Sequence, residues 1–262
     1  MRVVFKPLLL CCFAFALRGA GPPATLAESP EDFRIEITGS AWLVDSEGTI
    51  QGNGAPINLV SDLGAAQRQP TFYGRLVYKP RRKQRLVVEG TPIGLSGLNT
   101  VDRTLVYRGR TFDVNETLRS SADLDYLFAG YQYDVLSNSM GHLGFSIGGA
   151  YLGAAGAINE AQSGASASKA ETLGLPLVGA EFRVFPIPHH QLIEVEGGLR
   201  GMGAGSYGHF VEGSASGGVR LGPVGILAGY REMLVDFHET GAGGSGIDVR
   251  LKGPVFSILW RW

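Results

Sequence analysis

At 262 residues the chain has room for one large all-β domain or two smaller ones. Its 39 glycines, about 15% of the chain against an average near 7%, come without the triplet period of collagen and argue against a helix-rich fold. A formal net charge of −1 gives no reason to expect a nucleic-acid partner, and a mean hydropathy of +0.08 is too low for a bundle of membrane helices.

The first residues read as an export signal. Arg2 and Lys6 supply the positive end, "PLLLCCFAFAL" the apolar stretch, and small residues follow, so residues 1–27 are expected to be removed after Ala27, or an earlier cut falls after Ala16. Residues 28–262 then form the single folded domain. Cys11 and Cys12, the only two cysteines, both lie in the signal and leave the exported chain no thiol for a disulfide, a thiolate metal site or nucleophilic catalysis. With no Cys/His cluster, phosphate loop or serine elbow either, no cofactor and no metal is expected. His189 and His190 read as solvated turn residues, since adjacent side chains on a turn point apart.

Past the signal there is no apolar run of about 18 residues, hence no expected membrane helix. What recurs is two-residue alternation in ten pieces of roughly 10–15 residues separated by turn formers, the pattern of transmembrane β-strands. The first, 33–45, sets Phe33, Ile35, Ile37, Ala41 and Leu43 against Arg34, Glu36, Thr38 and Ser40. Residues 71–80 and 85–97 follow across the basic turn "RRKQ", with Arg75 and Glu89 inward. Residues 122–135 turn Leu127, Ala129, Tyr131 and Tyr133 outward, and 142–154 do the same with Leu143, Phe145, Ile147 and Tyr151. Residues 175–185 place Glu181 and Arg183 opposite Val178 and Phe182, and 192–201 place Glu194, Glu196 and Arg200 opposite Ile193, Val195 and Leu199. Residues 210–222 contribute Glu212 and Arg220 inward, and 224–237 contribute Arg231, opposite Ile226, Ala228 and Tyr230. In the tenth piece, 247–262, the apolar parity changes at Gly253-Pro254, which reads as a β-bulge.

The connections alternate long (46–70, 98–118, 156–171, 239–246) and short ("RRKQ", "VLSNSMG", "PIPHHQ", "GP"); 204–208 is short where a long one is due. Short periplasmic turns and longer outer loops describe bacterial outer-membrane barrels. The even strand count leaves both chain ends on the periplasmic side. The loop 98–118 contains its own hairpin about Arg108-Gly109-Arg110, and "APINLVSDLGAA" reads as a short rim helix or a strand edge. The expected fold is therefore all-β, an antiparallel transmembrane β-barrel of ten strands. Eight strands plus an extracellular hairpin is the alternative count, and a secreted soluble β-sandwich binding protein the alternative fold.

Tyr131, Tyr133, Tyr230, Trp260 and Trp262 fall toward the periplasmic strand ends, where a membrane barrel wants interfacial aromatics. The final stretch "FSILWRW" resembles the terminal strand of outer-membrane β-barrel proteins, whose aromatic last residue is read by the barrel-assembly machinery. "DLDYLFAGYQYDV" is similar to strands of small OmpA-like and OmpW-like barrels. The resemblance implies residence in the cell outer membrane, with outer-membrane lipid and the assembly machinery as partners; it names an architecture and not an activity, and the role expected is structural or small-solute rather than enzymatic. Oligomeric state stays open.

The inward faces carry Arg34, Glu36, Arg75, Glu89, Glu181, Arg183, Glu194, Glu196, Arg200, Glu212, Arg220 and Arg231, with both signs equally represented. Ten strands leave little more room than the eight whose side chains fill a lumen, so these charges must pair. A salt-bridge plug is the preferred reading over a gated pore. Small residues on the facing walls, among them Gly144, Ser146, Ser214 and Ser216, make space for the long charged arms. One constellation admits chemistry: Asp123 and Asp125 in "DLD" with Asp236 and His238 in "DFH", all near strand tops. It is similar in type to the Asp/Asp and Asp/His pairs of omptins, ten-stranded outer-membrane proteases in which such groups activate a water.

Overall fold

In the computed structural model the described residues are 30–51, 56–64, 68–107, 110–160, 166–187, 192–238 and 246–262. The expected export signal, the turn at Arg108-Gly109, His189, His190 and most of the "GAGGSG" loop lie outside them. The strands are β1 (Ile35–Gln51), β2 (Ile57–Asn58), β3 (Gln69–Arg81), β4 (Gln84–Thr100), β5 (Leu105–Tyr107), β6 (Arg110–Phe112), β7 (Thr117–Asn138), β8 (Gly141–Glu160), β9 (Ser166–Val184), β10 (Ile193–Gly203), β11 (Gly208–Leu221), β12 (Val224–His238) and β13 (Gly246–Arg261).

Ten of them pair antiparallel in the order β1-β3-β4-β7-β8-β9-β10-β11-β12-β13, and β13 returns to β1 from Glu36 opposite Arg261 up to Gln51 opposite Gly246. The sheet is closed, which excludes the sandwich and the eight-strand count. β2 adds to the top of β1, and β5 with β6 is the hairpin expected inside 98–118. "APINLVSDLGAA" takes the strand-edge alternative, followed by a turn in which the Asn58 side chain accepts from the Val60 and Ser61 amides. Trp262 is stitched into the wall. Its amide donates to the Ile35 carbonyl and its carbonyl accepts from Arg34 and Ile35, each at 2.8 Å.

The expected bulge at Gly253-Pro254 is not there. β13 keeps one register against β12 from Trp260 opposite Val224 to Gly246 opposite His238, and its register with β1 is the same on either side of Gly253. What changes at that height is the surroundings. Below it Phe256, Ile258, Trp260 and Trp262 point outward and are 53–70% exposed; above it the outward residues are Asp248, Arg250 and Lys252, while Val249 and Leu251 are buried inside. β7 repeats the exchange: Leu127, Tyr131, Tyr133 and Val135 face out below, Arg119, Ser121, Asp123 and Asp125 face out above, and Leu118, Leu124, Tyr126 and Phe128 are buried inside. The strands serve as a lipid-facing wall in the lower storey and as the shell of a water-facing apolar core in the upper one. Gly253 marks the crossing for a steric reason: at φ +157° its missing Cβ would sit 1.9 Å from the Leu43 carbonyl oxygen.

Two further expectations are corrected. Strand β1 begins at Ile35, so the preceding residues leave the alternation: Phe33 turns into the lumen at 7% exposure and Arg34 faces out. Tyr131, Tyr133, Trp260 and Trp262 do lie in the lower outward belt, but Tyr230 does not sit at the periplasmic end. It stands six residues above Val224, about 20 Å along the strand, and two below Glu232, which pairs with Arg250 at 2.5 Å. Tyr230 thus marks the opposite boundary of the apolar belt.

Candidate functional site

The lower lumen is a mesh of buried ions whose members alternate with the belt residues along each strand. Arg183, 2% exposed, stands at its centre. Its Nη2 lies 2.8 Å from Glu36 and 2.9 Å from Glu196, its Nε 2.8 Å from Glu194 and its Nη1 3.4 Å from Glu31. Arg261 meets Glu36 at 2.6 Å and both oxygens of Glu194. Higher up, Arg200 donates both terminal nitrogens to Glu89, at 2.8 and 3.0 Å, and one of them to Glu181 at 2.8 Å, with the Phe128 ring 4.1 Å from its guanidinium. Arg75 bridges the same two acids, 3.1 Å from Glu89 and 2.5 Å from Glu181, and its 3.9 Å approach to Glu36 joins the two groups. Arg231 binds Glu212 at 2.6 Å, and the other Glu212 oxygen accepts the Tyr126 hydroxyl at 2.8 Å.

The fit comes from unequal side-chain size. A Cβ on Gly144 would stand 2.6 Å from Asp134 Oδ1, and one on Gly198 3.0 Å from Glu181 Cγ. A polar cavity of about 70 Å³ remains beside the small wall, lined among others by Thr38, Tyr73, Ser214, Ser216 and Ser257.

Both ends of the mesh are covered. At the bottom the segment that precedes β1 enters the lumen. The Glu31 carboxylate is 2.6 Å from Arg85, 3.3 Å from His142 and 3.5 Å from Lys79, and three cations surround the Phe33 ring: Lys79 at 4.6 Å, Arg261 at 5.5 Å and Arg85 at 5.6 Å. At the top, Tyr126 stacks on Phe210 with centroids 5.7 Å apart, and Trp42, Met233, Val235 and Leu251 complete an apolar layer. Above this layer the segment 56–64 fills the wall between β1 and β4 where their pairing with β3 has ended, with Ile57, Leu59 and Leu63 buried. Asn99 donates to the Ser61 and Asp62 carbonyls, Ser120 to that of Leu63, and Arg103 binds the Asp62 carboxylate. Burial pushes the Asp62 carboxyl up, but hydrogen bonds from Arg103 and the Asn58 amide, with the Arg103 charge, outweigh it and hold the group below its ordinary pKa.

Ten of the twelve expected lumen charges therefore meet inside. Arg34 does not, for the reason given above. Arg220, at the lower rim, donates to the Gly222 carbonyl at 2.8 Å and has no carboxylate within ion-pair distance among the described residues. Sequence reasoning missed Lys79, Arg85, Asp134, His142 and Arg261, although each continues the inward parity of Arg75, Glu89, Gln132, Gly144 or Ser257. Glu31 carries no such signal, because it lies outside any strand.

No protein-family model matches the chain, and no curated protein matches it by sequence. Solved structures do. The outer membrane protease OmpT of Escherichia coli aligns with a TM-score of 0.57 at 8% identity, over 89% of this chain and 98% of OmpT. OprG of Pseudomonas aeruginosa (TM-score 0.40, 9% identity, 88% of this chain and 97% of that one) and Ail of Yersinia pestis (0.36, 9%, 86% and 99%) are more distant and add nothing to the argument. The fold is that of an outer-membrane β-barrel. The barrel's closed, belted wall supports residence in the outer membrane.

Likeness at 8% identity concerns the fold alone, and the omptin-type residues are not brought together here. Asp123 and Asp125 project outward from β7 with Leu127 and Tyr131, and Asp236 and His238 project outward from β12 with Tyr230. Around the barrel β7 and β12 are five strands apart in either direction, so the two pairs stand on opposite outer walls. Four groups so placed cannot share a water.

Proposed function

We propose that this protein is a structural barrel of the outer membrane whose lumen does not conduct, and which holds a water-facing upper storey above the lipid. The observation that carries this reading is the filling of the lumen at two heights: a mutually paired ion mesh below and a packed apolar layer above. A diffusion pore needs a continuous wet path. A cavity of about 70 Å³ among the mesh side chains themselves is not one. The purified barrel in planar lipid bilayers is expected to give no steady current; a large, steady, ohmic conductance would overturn the reading.

The same reading assigns the terminal aromatics to assembly. The Trp262 side chain is 70% exposed and touches the lipid side, whereas its backbone makes the seam. Replacing it by serine leaves the seam bonds in place, yet removes the aromatic end that the barrel-assembly machinery reads in similar proteins. Trp262→Ser is expected to lower the amount of folded protein reaching the outer membrane while barely moving the unfolding midpoint of the molecules that do. Equal surface levels for Trp262→Ser and wild type would remove this assignment.

A further inference from the structure

At the upper rim three metal-type donors share one patch of the outer wall. Asp236 and His238 are two residues apart on β12 and so project from the same face, and His209 of β11 is the direct cross-strand neighbour of Asp236. His238 Nε2 lies 2.6 Å from Asp236 Oδ1, and His209 Nδ1 lies 3.5 Å from Oδ2. On the other side Asp248 of β13 is paired directly with Asp236. Carboxylates opposed across two strands repel one another, so this position asks for a cation. The nearest arginine on β13, Arg250, is engaged with Glu232.

We propose that His209, Asp236 and His238, with Asp248 as a neighbouring fourth donor, bind a divalent transition-metal ion of the zinc class. Two imidazoles with carboxylate oxygen suit such an ion, whereas magnesium and calcium take oxygen sets. With bonds near 2.0–2.1 Å, the edge of a zinc tetrahedron is about 3.4 Å. The two imidazole-carboxylate separations, 2.6 and 3.5 Å, straddle that length. As the side chains stand, no group of three or more His, Cys, Asp or Glu among the described residues could hold a metal ion. Closing the site therefore takes rotation of the rings, which are free to turn: the His209 and His238 side chains are 43% and 52% exposed. The backbone need not move, because a D-x-H pair on one strand and a histidine directly across from it already put all three donors on one rigid surface. The site owes nothing to the lumen and stands or falls separately from the reading of it as a plug.

The test is calorimetric titration of the untagged, chelator-stripped barrel in detergent with zinc chloride, and with magnesium chloride as the comparison. The expected result is one zinc per chain and no magnesium heat. His209→Ala and His238→Ala should each weaken zinc binding by about tenfold or more, and the double variant should bind none, all three keeping the heat-dependent gel shift of a folded barrel. Absence of zinc binding, magnesium binding as tight as zinc, or zinc binding undiminished in the double variant would overturn the proposal.

Discussion

Replacing Arg183 by alanine should lower the free energy of unfolding by roughly 3–5 kcal/mol, because a buried ion mesh loses a cation that four carboxylates share. Glu36, Glu194 and Glu31 are each 2% exposed or less and each lies within 3.4 Å of that guanidinium. Arg261 can still serve Glu36 and Glu194, and Arg85 can serve Glu31, but none of these acids can reach water. The urea midpoint of the protein folded in lipid vesicles reads the effect directly. Glu196 supplies the contrast: it shares Arg183 yet its side chain is 22% exposed, so Glu196→Gln should cost about 1 kcal/mol or less. A midpoint for Arg183→Ala no lower than that of Glu196→Gln would mean that the lower lumen is wet and the charges are solvated.

The second large effect is expected from the upper storey. Trp42 is fully buried, points inward from β1 and lies against the Arg231 guanidinium with its ring 5.0 Å away. Removing it leaves a void in the apolar layer and leaves the buried Arg231 cation with Tyr73, 4.0 Å away, as its remaining aromatic neighbour. Core truncations of this size typically cost about 3–5 kcal/mol, and Trp42→Ala should fall in that range by the same urea measurement. Leu98→Ala, at an outward position that is 61% exposed, should stay within about 0.5 kcal/mol of wild type. Equal midpoints for the two variants would contradict a packed upper core.

Strand number, approximate strand positions and most of the alternation of long and short connections were legible in the sequence because they depend on local pattern, period two broken by turn formers; the expected long connection 156–171 is the exception, since β8 continues to Glu160 and β9 begins at Ser166. The wall itself was legible for the same reason, down to Glu36, Glu89, Arg183 and Arg200 facing inward. Three features were not. The parity change at Gly253-Pro254 resembles a bulge when the membrane is taken as the only surroundings, since a slip of one residue and an exchange of lipid for water give the same string of apolar residues. Tyr230 looked like its periplasmic counterparts because an aromatic belt has two edges, and sequence distance from a turn had to be converted into height to tell them apart. Phe33 and Glu31 close the lower mouth from a segment without periodicity, so their contacts depend on the finished barrel. The "DLD" and "DFH" pairs show the converse: their residue types invite a catalytic reading, and only the circuit of strand pairings separates them.

The exchange of faces at a fixed register is the centre of this account, and a cysteine scan along β13, in a background with Cys11 and Cys12 replaced by serine, measures it most directly. With the protein folded in lipid vesicles, Arg250→Cys should react with a water-soluble maleimide. A fluorophore built at Phe256→Cys or Ile258→Cys should be quenched from within the bilayer, and Val249→Cys should be shielded from both. Val249→Cys reacting like Arg250→Cys, or lipid quenching on both sides of Gly253 at residues of opposite parity, would restore the bulge and contradict the two-storey wall.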